Sequence, residues 1–235
     1  MIYENIKGFV PMSLVDWDGK VSCVIFLAGC NFKCKFCHNK ELVLEPAKLK
    51  SISLEEIKNY LSNNKEFIDG VVITGGEPCI YEELPDLCEE IKKLGFKLKI
   101  ETNGAYPGML KVLLDKKLVD FVSMDIKTSF ENYKEITNFD IDIEKIKKAI
   151  LLISNFPDYE FRITLYPEIK KEDLIKIAEY LKNAGANKAF FIQQFRAENC
   201  IDEDAEKFKP YSTHELDGFL EDIKPYFKKA GLRNI

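Results

Sequence analysis

Val71-Val72-Ile73-Thr74-Gly75-Gly76-Glu77-Pro78 is a run of four β-branched residues that stops abruptly at two glycines. Its length and residue type read as a buried strand. A Gly-Gly pair after a strand often marks a hairpin. Here a helix follows instead, because Leu84, Leu87, Cys88, Ile91 and Leu94 recur at helical spacing and Gly95 is placed to stop the turn. The same strand-then-helix unit recurs along the chain. Cys23–Leu27, Lys97–Glu101, Phe121–Asp125, Phe161–Leu165 and Ala189–Gln193 are the other short apolar segments, each bounded by polar residues or glycine. Ser53 with Glu56 and Ser212 with Glu215 are capping boxes, and Ile143–Ile153 and Leu174–Leu181 repeat with helical periodicity. Six strands alternating with helices predict a parallel sheet with right-handed crossovers. Six units are too few to close an eight-fold barrel. The expected fold is therefore α/β: a partial (β/α)6, TIM-like open barrel.

With 235 residues and no repeat, low-complexity tract or linker, the chain reads as a single domain over 1–235. Residues 1–20 form an N-terminal segment, and residues 200–235 a C-terminal loop and helix. A hydrophobic share of 46% fits a soluble globular protein with a sizeable core, as does the mean hydropathy of -0.18. No apolar run approaches a membrane span, and the start lacks the basic flank and apolar stretch of a signal peptide. The expectation is a cytoplasmic protein, in which the seven cysteines serve as metal ligands or core residues rather than disulfides. A net charge of -5 argues against nonspecific nucleic-acid binding.

If the sheet is parallel, chemistry belongs at the C-terminal ends of its strands. The unusual residues fall there: the cysteine loop, Gly75–Pro78, Glu101–Gly104, Asp125–Lys127 and Gln193-Gln194. In the first of these, Cys30-Asn31-Phe32-Lys33-Cys34-Lys35-Phe36-Cys37-His38 brings three thiols into one short loop directly after a strand. Thiolates suit iron–sulfur clusters and zinc. Three cysteines on a four-iron cluster leave one iron open to a small molecule. Zinc held by the three cysteines and His38 is the structural alternative, but no second CxxC supplies the usual separated pair. A ferredoxin-type carrier needs a fourth cysteine, and Cys23, Cys79, Cys88 and Cys200 are scattered.

CxxxCxxC with an aromatic before the third cysteine resembles the signature of the radical S-adenosylmethionine (SAM) superfamily, and Gly75-Gly76-Glu77-Pro78 resembles its second hallmark. The resemblance implies a [4Fe-4S] cluster on Cys30, Cys34 and Cys37, with SAM chelating the open iron. Reductive cleavage would then yield methionine and a 5′-deoxyadenosyl radical. Consecutive glycines allow close backbone approach, and free strand-end carbonyls accept bonds from an ammonium, which suits the methionyl amine with Glu77 nearby.

Glu101-Thr102-Asn103-Gly104 is similar to the Asp-Thr-Asn-Gly strand end of glycyl-radical-enzyme activases, with Glu in place of Asp, and Asp125-Ile126-Lys127 is similar to their Asp-x-Lys. By that resemblance Glu101 and Thr102 belong to the SAM pocket, Asp125 takes ribose hydroxyls and Lys127 the methionyl carboxylate. Phe36 would meet the adenine through its backbone, and Gln193 or Gln194 suits an adenine edge and a surface position alike. Asp16, in Val15-Asp16-Trp17-Asp18-Gly19, and Arg162 would face the partner peptide, although an Arg inside an apolar strand equally suits a structural salt bridge. Trp17 suits core or partner contact alike.

The stretch from Gly8 to Trp17, Cys37-His38-Asn39 and the ending Ala230–Ile235 look most like the short anaerobic ribonucleoside-triphosphate reductase activating proteins. That implies hydrogen abstraction from a glycine of a partner glycyl radical enzyme, anaerobic ribonucleotide reductase, with a flavodoxin or ferredoxin-type electron donor. Pyruvate formate-lyase activating enzyme is the nearest alternative. 7-Carboxy-7-deazaguanine synthase, which acts on a small molecule, and a non-enzymatic zinc protein stand further off.

Overall fold

All strands of the computed structural model, which describes residues 1–234, join one sheet in sequential order. They are β1 (Ile6–Ser13), β2 (Ser22–Leu27), β3 (Gly70–Gly75), β4 (Lys97–Thr102), β5 (Phe121–Asp125), β6 (Asp158–Leu165), β7 (Ala189–Gln194) and β8 (Lys229–Arg233). Pairing from β2 through β8 is parallel, while β1 runs antiparallel to β2 with two register shifts. Strands β1 and β8 form the two edges, so the barrel stays open.

The expected open α/β barrel is thus present, with eight strands rather than six. The missed strands are the two edges. β1 contains Gly8 and Pro11, residues that weaken a strand and are tolerated only at an edge or bulge. β8, Lys-Ala-Gly-Leu-Arg, has little of the β-branched content that marks a strand.

The helices are α1 (Lys40–Leu44), α2 (Leu54–Asn63), α3 (Leu84–Lys93), α4 (Pro107–Asp115), α5 (Tyr133–Thr137), α6 (Ile143–Ile153), α7 (Lys171–Asn183) and α8 (Thr213–Ile223). The capping boxes at Ser53 and Ser212 are both formed. Successive residues of a strand point to opposite faces, and the two faces here differ sharply. Val71, Ile73, Leu98, Ile100, Val122, Met124, Phe161 and Ile163 belong to the main apolar core, shared with the buried faces of the helices. On the opposite, concave face, Val24 and Val72 pack with Trp17, Phe26 and Phe121 in a separate apolar cluster. Trp17 is therefore a core residue, and it carries the β1–β2 loop into the barrel. The same face also bears charge, since Lys99 and Glu101, Ser123 and Asp125, and Glu160 and Arg162 stand two residues apart on β4, β5 and β6.

Candidate active site

The cysteine loop leaves the C-terminal end of β2 and is held by main-chain bonds on two sides. Lys33 N and Lys35 N donate to the carbonyls of Thr137 and Ile136 at the end of α5, at 2.9 and 3.3 Å. From the segment after β7, Asp202 N donates to Lys35 O at 3.1 Å, and Arg196 O meets His38 Nε2 at 2.9 Å. Phe36 is buried and packs on Tyr166 at 5.3 Å between ring centroids. A loop anchored this way presents Cys30, Cys34 and Cys37 to one cavity of about 300 Å³ at the C-terminal mouth of the barrel. Two N–H groups lie against the Cys30 sulfur, Phe32 N at 3.4 Å and Asn103 Nδ2 at 3.7 Å.

The Gly75-Gly76 turn makes this arrangement possible, and chiefly through backbone packing. Gly75 has a φ of +118°. A Cβ at Gly75 would lie 2.6 Å from Leu27 N, and one at Gly76 would lie 2.6 Å from the Gly29 carbonyl carbon. Gly76 N donates to Leu27 O at 2.8 Å and Glu77 N to Gly29 O at 2.9 Å. Side-chain-free residues let β3 run directly against the chain that leads into Cys30. The Gly75 carbonyl accepts Asn39 Nδ2 at 2.5 Å, so it is partly engaged rather than free, with one lone pair left over.

Glu77 does not line the cavity. It is fully buried, where its carboxylate accepts Cys79 N at 2.9 Å, Thr102 Oγ1 at 2.7 Å and Asn103 N at 2.6 Å. Burial pushes its carboxyl up and these donors work against that. Its reach is toward the end of β4, not toward a ligand amine. The motif's carboxylate thus ties two strand ends together.

Glu101, Asp125, Lys127 and Arg162 all line the cavity, as do Thr102, Gln193 and Asp16. They are coupled as a ladder across β4, β5 and β6. Arg162 Nη1 donates to Glu101 Oε1 at 2.7 Å and its Nε to Asp125 Oδ1 at 2.9 Å. Lys127 Nζ donates to Asp125 Oδ2 at 3.1 Å. Glu101 also receives Thr74 Oγ1 at 3.0 Å and pairs with Lys99 Nζ at 3.0 Å. Burial alone would raise the Glu101 carboxyl, but the Arg162 and Lys99 charges hold it well below the usual carboxylate range. Asp125 is likewise lowered, with the attraction of Arg162 and Lys127 overcoming burial. Arg162 therefore makes the salt bridges that its apolar strand suggested, while still facing the cavity.

The sequence reading passed over several residues of this site. Phe32, Asn39, Val43, Thr74 and Thr164 also line the cavity, together with His38, weighed above as a zinc ligand, and Lys99 lies beneath it, 2% exposed. Strand alternation back from Glu101 would have found Lys99, whose long apolar stem disguised it in an apolar strand. The other cysteines stay out of the site. Cys23, Cys79, Cys88 and Cys200 are buried, and Cys200 Sγ contacts the Arg196 carbonyl.

The donor set fits a cluster. Burial pushes the Cys30 and Cys34 thiols up to about 12 and also raises Cys37, whereas the Lys127 ammonium opposes the rise in all three. An apolar wall of three thiols facing one lysine holds soft ligands neutral until metal replaces their protons.

Residues 24–181 match the model of the radical SAM superfamily. A protein of Methanocaldococcus jannaschii, described as a candidate glycyl-radical enzyme activating enzyme, is 35% identical over 98% of this chain and 96% of its own length. The pyruvate formate-lyase-activating enzyme of Clostridium pasteurianum is 29% identical over 78% of each chain. Streptococcus suis SuiB, solved with S-adenosylmethionine bound, shares the fold over 89% of this chain and 46% of its own, with a TM-score of 0.64 and 16% identity. The chain belongs to the radical SAM superfamily and is an enzyme that works with a [4Fe-4S] cluster and S-adenosylmethionine.

Proposed function

We propose that this enzyme activates a glycyl radical enzyme, and that its partner is an anaerobic ribonucleotide reductase. The observation that carries the activase reading is kinship over nearly the full length of both chains with the M. jannaschii protein. We assign residues 1–235 to one radical SAM domain. Among the described residues no helix is long and apolar enough to cross a membrane, and a cytoplasmic setting with a flavodoxin or ferredoxin-type donor completes the proposal.

In this reading Cys30, Cys34 and Cys37 hold the cluster. When bound and reduced, it supplies the electron that splits SAM into methionine and a 5′-deoxyadenosyl radical. The protein's own part is placement and exclusion of water. Lys127, kept cationic by Asp125, would hold the methionyl carboxylate, and the second lone pair of Gly75 O would accept from the amine. Asp125 and Thr102 would hold the ribose, and the Phe36 backbone and Gln193 the adenine, since all four residues line the cavity. Asp16 lines the cavity from the β1–β2 loop, where it would meet the glycine-bearing loop of the partner. One hydrogen atom leaves the glycine Cα for the 5′ carbon, giving 5′-deoxyadenosine and a glycyl radical on the partner.

The test is anaerobic reconstitution, reduction and addition of SAM, with anaerobic ribonucleoside-triphosphate reductase and pyruvate formate-lyase in parallel reactions. A glycyl-radical EPR signal on the reductase supports the proposal. A signal on pyruvate formate-lyase alone reassigns the partner. 5′-Deoxyadenosine with neither signal refutes both partners and turns attention to a small-molecule substrate.

A further inference from the structure

We propose that Lys99 is a positioning residue that sets the height of Asp16 at the base of the active-site cavity. The inference rests on the activase reading only for its effect on the partner. Lys99 rises from β4 into the barrel and is 2% exposed. Its ammonium meets three acceptors: the Asp16 carbonyl at 2.6 Å, Glu101 Oε1 at 3.0 Å and Glu160 Oε1 at 3.6 Å.

The two carboxylates do not need it. Glu101 also has Arg162 and Thr74, while Glu160 has Ser123 and a bidentate pair with Arg233. The Asp16 carbonyl is a different kind of acceptor, because it belongs to the β1–β2 loop rather than to the barrel wall. That loop is otherwise open to solvent just upstream, with Leu14 71% and Val15 81% exposed. Downstream, Trp17 is packed in the barrel base and Asp18 reaches Arg233 at 2.8 Å. Lys99 therefore ties the main chain of the one loop residue that lines the cavity, while the Ser13 hydroxyl donates to that residue's carboxylate. A charged donor on a half-buried carbonyl is among the stronger single hydrogen bonds.

The test compares Lys99→Met, Lys99→Gln and Lys99→Arg. Met removes the donor. Gln keeps a polar group between the carboxylates but is too short to reach the loop, and serves if Met does not fold. Amide hydrogen exchange should quicken about tenfold across residues 14–20 in Met and Gln, with Arg nearer to wild type. Exchange in that loop equal to wild type in both variants overturns the proposal, whatever the partner proves to be. Glycyl-radical yield on the reductase should fall about tenfold while partner-free 5′-deoxyadenosine formation falls less than about twofold. Equal loss of both activities shows a merely structural lysine and also overturns it. Failure of wild type to activate any partner strikes the activase reading alone, since the exchange result stands apart from it.

Discussion

Gly76→Ala tests whether the glycine pair serves the cysteine loop. The added Cβ would lie 2.6 Å from the Gly29 carbonyl carbon, nearer still to its oxygen, and 3.3 Å from Cys30 Cβ. Ordinary contact begins near 3.4 Å, so β3 and the chain before Cys30 must separate by roughly 1 Å, and neither side can yield by changing a rotamer. Overpacking of this kind costs up to about 3 kcal/mol. The adjacent bonds from Gly76 N to Leu27 O and from Glu77 N to Gly29 O are stretched with it, adding about 1 kcal/mol between them. The expected loss is about 4 kcal/mol in urea unfolding of the apo chain under anaerobic conditions. Cys30 moves with Gly29, by far more than the ~0.2 Å that a metal site tolerates, so iron and sulfide per chain should drop after reconstitution. Gly218→Ala is the control, since nothing lies within 4 Å of its Cβ position in α8, and it should gain about 0.5–1 kcal/mol. A Gly76→Ala protein with wild-type stability and a full complement of iron and sulfide would refute the packing role.

Three further outcomes are expected. Alanine at Cys30, Cys34 or Cys37 should abolish 5′-deoxyadenosine formation, because an under-ligated cluster loses iron; full activity in any single variant would sink the ligand assignment. Asp16→Ala should spare partner-free SAM cleavage and impair radical transfer to the reductase, and parallel loss of both would count against its role toward the partner. Glu101, Asp125 and Glu160 ionise below their ordinary values of 4.5, 3.8 and 4.5. The stability they contribute is complete above those values and is lost as pH falls through the lowered ones. Arg162→Met should therefore cost about 3 kcal/mol at neutral pH and move the acid transition to higher pH, read from urea midpoints across a pH series; an unmoved transition would contradict the ladder.

The cysteine loop, the strand ends and the order of the parallel strands are legible because each depends on neighbours in sequence. Three thiols close together need no long-range folding to share a ligand, and a β-branched run ending at Gly-Gly marks its own boundary. The edges β1 and β8 are less legible, since an edge strand is defined by the sheet it joins, and Pro11 or Gly231 can sit there at little cost. The Pro107 start of α4 was overlooked although proline at the first turn is a helix signal.

Composition and local pattern by themselves pointed to an α/β open barrel with three thiols in one loop after a strand, and the resemblance of that loop added the cluster. Only the tertiary structure decided what the polar residues there do. Glu77 turned away from the cavity because Thr102 and two amides offered a buried carboxylate more than solvent-facing space could. Glu101, Asp125 and Arg162 became one coupled ladder because alternation on three adjacent strands put their charges on the same concave face. Lys99 joined them from 83 residues away from Asp16 in sequence, a contact that exists only once the barrel has curved. Pairing between charges on different strands is set by register and curvature, and no local pattern encodes either.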